Sequence, residues 1–240
     1  MAPVTEVAIL PIKPDADAAT VSSILDTNIA TLLAQPGCLR VRSSRVHEEP
    51  HKLRLFADWE SLELHRAFGA KPDQTGPFLQ RMGTIIDAAA AGPGPRKPPY
   101  HVEFAPFPPV ALNGTAVTGG ATASKGPVTE ILTMYFPSDV SEGMRDATAQ
   151  TTREFVRKLG AFADGFTGET AVGWSVETDV DYKGEPHRAL VTVIGWTSVD
   201  EHMKVREHPE FAKIIPMIRG LEGVKGMEMV HVTNTTIERS

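Results

Sequence analysis

The amino-acid sequence predicts an α+β fold: two β-α-β-β-α-β repeats, packed sheet to sheet into a barrel within one chain. Three observations lead there. The tetrapeptide Pro-Val-Thr-Glu stands at residues 3–6 and again at 127–130. Trp59, Ser61 and His65 are answered by Trp196, Ser198 and His202, so both halves carry Trp-x-Ser-apolar-x-x-His. The segments after each tetrapeptide are apolar on both alternating faces, whereas a sheet with one wet face alternates apolar with polar.

The elements follow in the same order in each half. Residues 7–12 and 131–136 read as first strands. Apolar residues at helical spacing come next: Val21, Ile24, Leu25, Ile29, Leu32 and Leu33, then Met144, Ala147, Phe155, Leu159 and Phe162. Asp15, and Ser138 or Ser141, are the expected N-caps. Each half continues with a hairpin, 39–46 with 53–58 and 172–178 with 189–194, turning at Glu49-Pro50-His51-Lys52 and at Glu185-Pro186-His187-Arg188. A helix opens after each Trp-x-Ser. Further helical stretches around 78–88 and 211–219 lead to final strands containing His101 and His231.

This internal duplication places a first domain at 1–104, a Pro/Gly/Ala/Thr-rich linker at 105–126 and a second domain at 127–240. Helices cover only one face of each sheet. The other face would expose more apolar surface than the few hundred Å² that monomers usually tolerate, so sheet should meet sheet. The tether holds one half near the other at roughly mM effective concentration, giving an internal pseudo-dimer. Uncovered strand edges would also let two chains pair as a homodimer.

Composition narrows the function classes. With 24 Lys and Arg against 30 Asp and Glu, the net charge of −6 argues against a nucleic-acid partner. No apolar run approaches the ~18 residues of a membrane span. One cysteine, Cys38, and no basic and apolar leader fit a reducing cytoplasm. Phosphate loops, GxGxxG after a strand, GxSxG and CxxC are all missing, so no cofactor is expected. The spacing His47-Glu48-Glu49-Pro50-His51 matches no strong zinc signature.

If Ser61 and Ser198 cap their helices, His65 and His202 fall on the apolar stripe, facing inward. A helix N-terminus keeps such a histidine neutral and able to act as base, acceptor or ligand. The plainer alternative packs each His beside its Trp, bonded to a backbone carbonyl. Trp59 and Trp196 fill the corner between sheet and helix or border a substrate. His101 and His231 lie either against the helices or inside the barrel, with Glu103 able to orient His101. Tyr135 and Trp174, in a second half that holds six of the eight methionines, either shape an apolar pocket or fill the core. Arg40 and Arg42 form a solvated face or a carboxylate clamp, with Arg54 on the strand that pairs with theirs.

The repeated β-α-β-β-α-β unit with Trp-x-Ser-x-x-x-His at the start of its second helix resembles the dimeric α+β barrel superfamily. Within it the chain is most similar to tandem proteins of the antibiotic-biosynthesis-monooxygenase-like (ABM-like) group, of the type found in fungi. The resemblance covers nearly everything except the linker. It implies ferredoxin-like halves and a flat, apolar, polyketide-like or aromatic substrate held in a half-barrel. Cofactor-free proton transfer would serve a cyclase, dehydratase, decarboxylase or monooxygenase, with His202 and His65 as catalytic candidates. Tyr135, Trp174, Trp196, Trp59, His231 and His101 are the substrate-binding candidates. Cyclases of this kind can carry a histidine on the first strand, where this chain has Thr5 and Thr129 instead. The rival expectations are a non-catalytic ligand-binding or stress-related protein, and a haem protein with His65 or His202 as axial ligand.

Overall fold

The computed structural model describes residues 2–90 and 98–239. In the first half the elements run β1 (Val4–Pro11), α1 (Ala18–Leu33), β2 (Cys38–Val46), β3 (Lys52–Trp59), α2 (Leu62–Gly69), α3 (Pro72–Ile85) and β4 (Tyr100–Ala105). A 3-10 turn at Val110–Asn113 and β5 (Ala116–Thr118) lie between the halves. The second half runs β6 (Val128–Pro137), α4 (Glu142–Leu159), β7 (Phe166–Ser175), β8 (Val180–Tyr182), β9 (Glu185–Trp196), α5 (Val199–Val205), α6 (Pro209–Ile214), α7 (Pro216–Arg219) and β10 (Gly226–Glu238).

The two sheets, β2-β3-β1-β4 and β7-β9-β6-β10, have the same order, and they join at both ends. β4 pairs with β7, and β10 pairs with β2, both antiparallel. The result is one continuous closed barrel, so the edges expected to recruit a second chain are consumed within this one.

Both faces of the first strands are apolar because each faces a core. From β1, Val4 and Leu10 pack under the helices, with Leu25, Ile29 and Trp59, while Val7 points into the barrel with Phe56, Val102 and Ile131. In the second half Leu132, Met134 and Phe136 face the helices, and Ile131 and Tyr135 face the barrel.

Arg40 and Arg42 lie inside the barrel, so the solvated face expected for them is corrected. Arg42 is fully buried and clamps Asp58 through two bonds of 2.9 Å, while its Nε donates to Asn113 Oδ1 at 2.8 Å. Thr5 Oγ1 donates to the same carboxylate at 2.7 Å, and Arg40 reaches Asp58 and Glu238. A buried charge is tolerable only when paired and hydrogen-bonded in this way. The clamp foreseen for an outside anion grips the protein's own carboxylate.

The linker sequence closes this end of the barrel. Ala111 and Leu112 join the barrel core, Thr129 Oγ1 donates to Ala111 O at 2.5 Å and Thr236 Oγ1 to Asn113 O at 2.6 Å. Gly114 takes φ +65° with its Cα against β10, where a Cβ would run into the carbonyl oxygen of Asn234. β5 then runs parallel to β10.

Local expectations differ in places. The first helix is capped by Asp17, whose carboxylate accepts from Thr20 N at 2.8 Å, and not by Asp15. Ser141, Ser61 and Ser198 each accept from the backbone N–H three residues on. The closing helix of the first half starts earlier, at Pro72, and Pro216 splits its counterpart, because proline suits the first helical turn and not the interior. Glu185 to Arg188 belong to β9: Lys183 and Gly184, with φ 55° and 86°, make the turn, so the second hairpin is longer.

Candidate active site

Each half assembles the same chain of polar side chains on the helix-facing side of its sheet. In the first, Trp59 Nε1 donates to Glu6 Oε2 at 3.1 Å, and Glu6 Oε2 lies 3.5 Å from His65 Nε2. His65 Nδ1 meets His101 Nε2 at 2.7 Å, and His101 Nδ1 meets Glu177 Oε1 at 2.7 Å. In the second, Trp196 donates to Glu130 at 3.0 Å, His202 Nε2 lies 3.5 Å from Glu130, His202 Nδ1 meets His231 Nε2 at 2.6 Å, and His231 Nδ1 meets Glu48 Oε1 at 2.5 Å.

Local structure explains the convergence. Glu6 and Glu130 share the inward face of β1 and β6 with the core residues two positions away. The serine caps set His65 and His202 one turn into α2 and α5, packed against their tryptophans at centroid distances of 4.9 Å, with the rings tilted by 38°, and 4.8 Å, with the rings stacked. His101 and His231 face the helices because Val102 and Val232 face the barrel. Glu177 and Glu48 come from the opposite half, following β7 and β2 across the two closing seams. Each also accepts the backbone N–H of its histidine, at 2.7 and 2.9 Å. Neither histidine of a pair bonds a backbone carbonyl through its ring, and Glu103 is not the group that orients His101.

For neutral rings, hydrogen-bond logic assigns the protons. A carboxylate accepts, so Glu177 and Glu48 take the Nδ1–H of His101 and His231. The neutral rings then accept at Nε2 from Nδ1–H of His65 and His202. Nε2 of each helix histidine is left with a free lone pair beside Glu6 or Glu130. Burial holds His65 below the usual histidine range and pushes His202 down to about 4. Burial likewise pushes Glu130 up to about 7, against the Trp196 hydrogen bond. Glu177 and Glu48 are held below the carboxylate range overall: burial, the largest influence, raises them, but the bonds from His101 and His231 outweigh it.

The halves differ in the space beside this chain. In the first, Glu6 and His65 line a cavity of about 300 Å³ between sheet and helices, walled by Ala8, Leu55, Ala57, Phe68, Phe78 and Met82 among others. At the equivalent positions of the second half, two residues after Glu130 and two before Trp196, stand Leu132 and Ile194, both buried in the core. Both belong to one hydrophobic core with Phe155, and Phe211 packs against it. His202 is therefore placed in a packed core, and His65 is the one of the eight candidate residues that lines the cavity.

Trp59 and Trp196 are fully buried supports of Glu6 and Glu130, and His101 and His231 stand behind their partners. Tyr135 and Trp174 do not share a pocket. Tyr135 lies in the barrel, donating to Glu228 at 2.8 Å, and Trp174 lies under the helices, donating to Arg145 O at 3.1 Å. Among the described residues no group of three or more His, Cys, Asp or Glu is arranged to hold a metal ion. Haem does not fit the space present: the cavity beside His65 sits at the small end of the ~300–1,000 Å³ range of ligand pockets.

Residues 3–85 match the family model described as antibiotic biosynthesis monooxygenase, so the first repeat is an ABM domain. Among solved structures, an anthrone oxidase-like protein aligns over 100% of this chain and 94% of its own, with TM-score 0.65 and 13% identity. A provisionally assigned monooxygenase from Fusobacterium nucleatum aligns over 100% and 95%, with TM-score 0.58 and 11% identity. A mutant chlorite dismutase from Candidatus Nitrospira defluvii aligns over 97% and 91%, with TM-score 0.51 and 10% identity. At such identities these likenesses establish the fold, and no curated protein matches the sequence. No helix among the described residues is long and apolar enough to cross a membrane.

Proposed function

We propose that this chain, built on an ABM domain, is a small-molecule monooxygenase whose working site is the first-half cavity, with His65 as general base. One observation carries the reading: an apolar cavity the size of a small aromatic molecule is lined by a histidine backed by a second histidine and a carboxylate.

The substrate is a flat, aromatic or polyketide-like molecule with an acidic methylene. His65 Nε2 takes one of its protons, and His101 and Glu177 spread the positive charge that develops. The carbanion's electron pair goes to dioxygen, forming a C–O bond and, with a proton, a hydroperoxide. Loss of the second C–H proton to the same base breaks the O–O bond. The carbon becomes a carbonyl and hydroxide leaves as water with the returned proton. One methylene and one dioxygen thus give one carbonyl and one water, with the carbon as reductant. Glu6, 3.5 Å from Nε2 and fixed by Trp59, is placed to exchange protons with the base.

The test is oxygen uptake and ketone formation with anthrone, a substrate class suggested by the anthrone oxidase-like neighbour. One O2 consumed per anthrone is expected, and His65→Ala should lower kcat by roughly 10²- to 10⁴-fold. An undiminished rate in that variant would remove His65 from the chemistry; no turnover or binding of anthrone would remove the substrate class.

A further inference from the structure

The end of the barrel opposite the linker plug holds a second cavity, of about 580 Å³. We propose that it binds a small aromatic carboxylate, held by the guanidinium of Arg54.

Arg54 lies on β3, opposite Ile9 and Ser44, and is 6% exposed. Its buried Nε has no hydrogen-bond acceptor among the described residues, and Arg54 makes no ion pair with them. Further along the same strand stands Asp58, whose clamp on Arg42 shows a buried guanidinium in this barrel with its Nε and both Nη atoms satisfied. Burying a charged donor without an acceptor is costly, and a guanidinium's planar fork matches a carboxylate.

The carboxylates around the cavity do not fill this role, being engaged elsewhere. Glu48 takes His231, Glu49 takes Lys52 at 2.5 Å, Glu228 takes the Tyr135 hydroxyl, and Asp181 has its own partner. None of these carboxylates bonds Arg54, whose buried Nε is left for an acceptor from outside. Lys52 and Lys183 also line the cavity and offset part of the surrounding negative charge. Tyr135 and Tyr182, stacked at 4.2 Å and 14°, make one flat wall. Ile9, 42% exposed, and Val230 make others apolar, which favours a flat hydrocarbon body over an inorganic anion.

The site is separate from the first-half cavity, so the test keeps the two apart. Calorimetric titration with benzoate and with benzyl alcohol is made on the full chain, on Arg54→Met and on Ala8→Leu, which fills the first-half cavity. Saturable binding of one benzoate per chain is expected, retained in Ala8→Leu, at least tenfold weaker in Arg54→Met, and at least tenfold tighter than benzyl alcohol. Should Arg54→Met not fold, Arg54→Lys keeps the charge and loses the fork, and the same tenfold loss is expected. The proposal is overturned by absence of saturable benzoate binding, by unchanged affinity in the Arg54 variant, by loss of binding in Ala8→Leu, or by equal affinity for benzyl alcohol.

Discussion

Replacing Ala8 with leucine should convert the first half into a copy of the second at the point where they diverge. Ala8 lines the cavity two residues after Glu6, and Leu132 occupies the matching place after Glu130, 8% exposed in a packed core. The substitution adds three carbons into a space of about 300 Å³. At ~0.8 kcal/mol per buried CH2, the gain in stability is at most about 2 kcal/mol. Overpacking strain of ~1–3 kcal/mol applies where a core is already full, and here it is not. With a urea m-value of ~1–3 kcal/mol/M, the midpoint should rise by up to about 2 M. Anthrone turnover should fall at least tenfold in the same sample, and Ala57→Ile, which reproduces Ile194 of the second half, should compound the loss. A stable variant with full turnover would place the chemistry elsewhere; a destabilised one would show that the space is not there to be filled.

Two further outcomes concern the polar groups. Asp58→Ala leaves Arg42 buried without its partner, which should cost about 3–5 kcal/mol in chemical denaturation; a loss under ~1 kcal/mol would contradict the role given to this clamp. Glu130 and His202 oppose each other in pH dependence. His202, depressed from 6.5 to about 4, contributes stability that is lost as pH falls through that window, whereas Glu130, raised from 4.5 to about 7, contributes stability lost as pH rises. Between about 4.5 and 6.5 the folded and unfolded pair each hold one proton, so the slopes cancel. Glu130→Gln should expose the histidine alone, with an additional loss of roughly 3 kcal/mol between pH 6.5 and 4 in urea melts. Parallel pH profiles of variant and parent would refute the assignment.

The repeat, the strand and helix order and the pairing of the halves were legible because duplication doubles every weak local signal. Trp-x-Ser-x-x-x-His placed both helix histidines, since a serine cap fixes the helical phase of the residues after it. The closing seams were not legible. Which strand edges meet depends on how two twisted sheets wrap, and Glu177 and Glu48 reach their histidines only after that wrapping. Glu6 and Glu130 stood in the repeated tetrapeptide itself. A charged residue recurring on the helix-facing side of an apolar strand was the signal for a buried site. Arg42 misled because alternating arginines on a strand usually mark solvent, and its partner Asp58 lies on another strand. The difference between the cavities was also in the sequence, as Ala8 and Ala57 against Leu132 and Ile194, but side-chain size has meaning only once the two halves are aligned in register.

The central claim is that two equivalent histidine chains exist and only the one beside Ala8 and Ala57 meets a ligand. Long-range 1H–15N correlation of the histidine side chains during an anthrone titration measures this directly. Nε2 of His65 should have the shift of an unprotonated acceptor nitrogen and move as anthrone is added, with His101 following and His202 and His231 unmoved. Movement at His202 with His65 unchanged would contradict it.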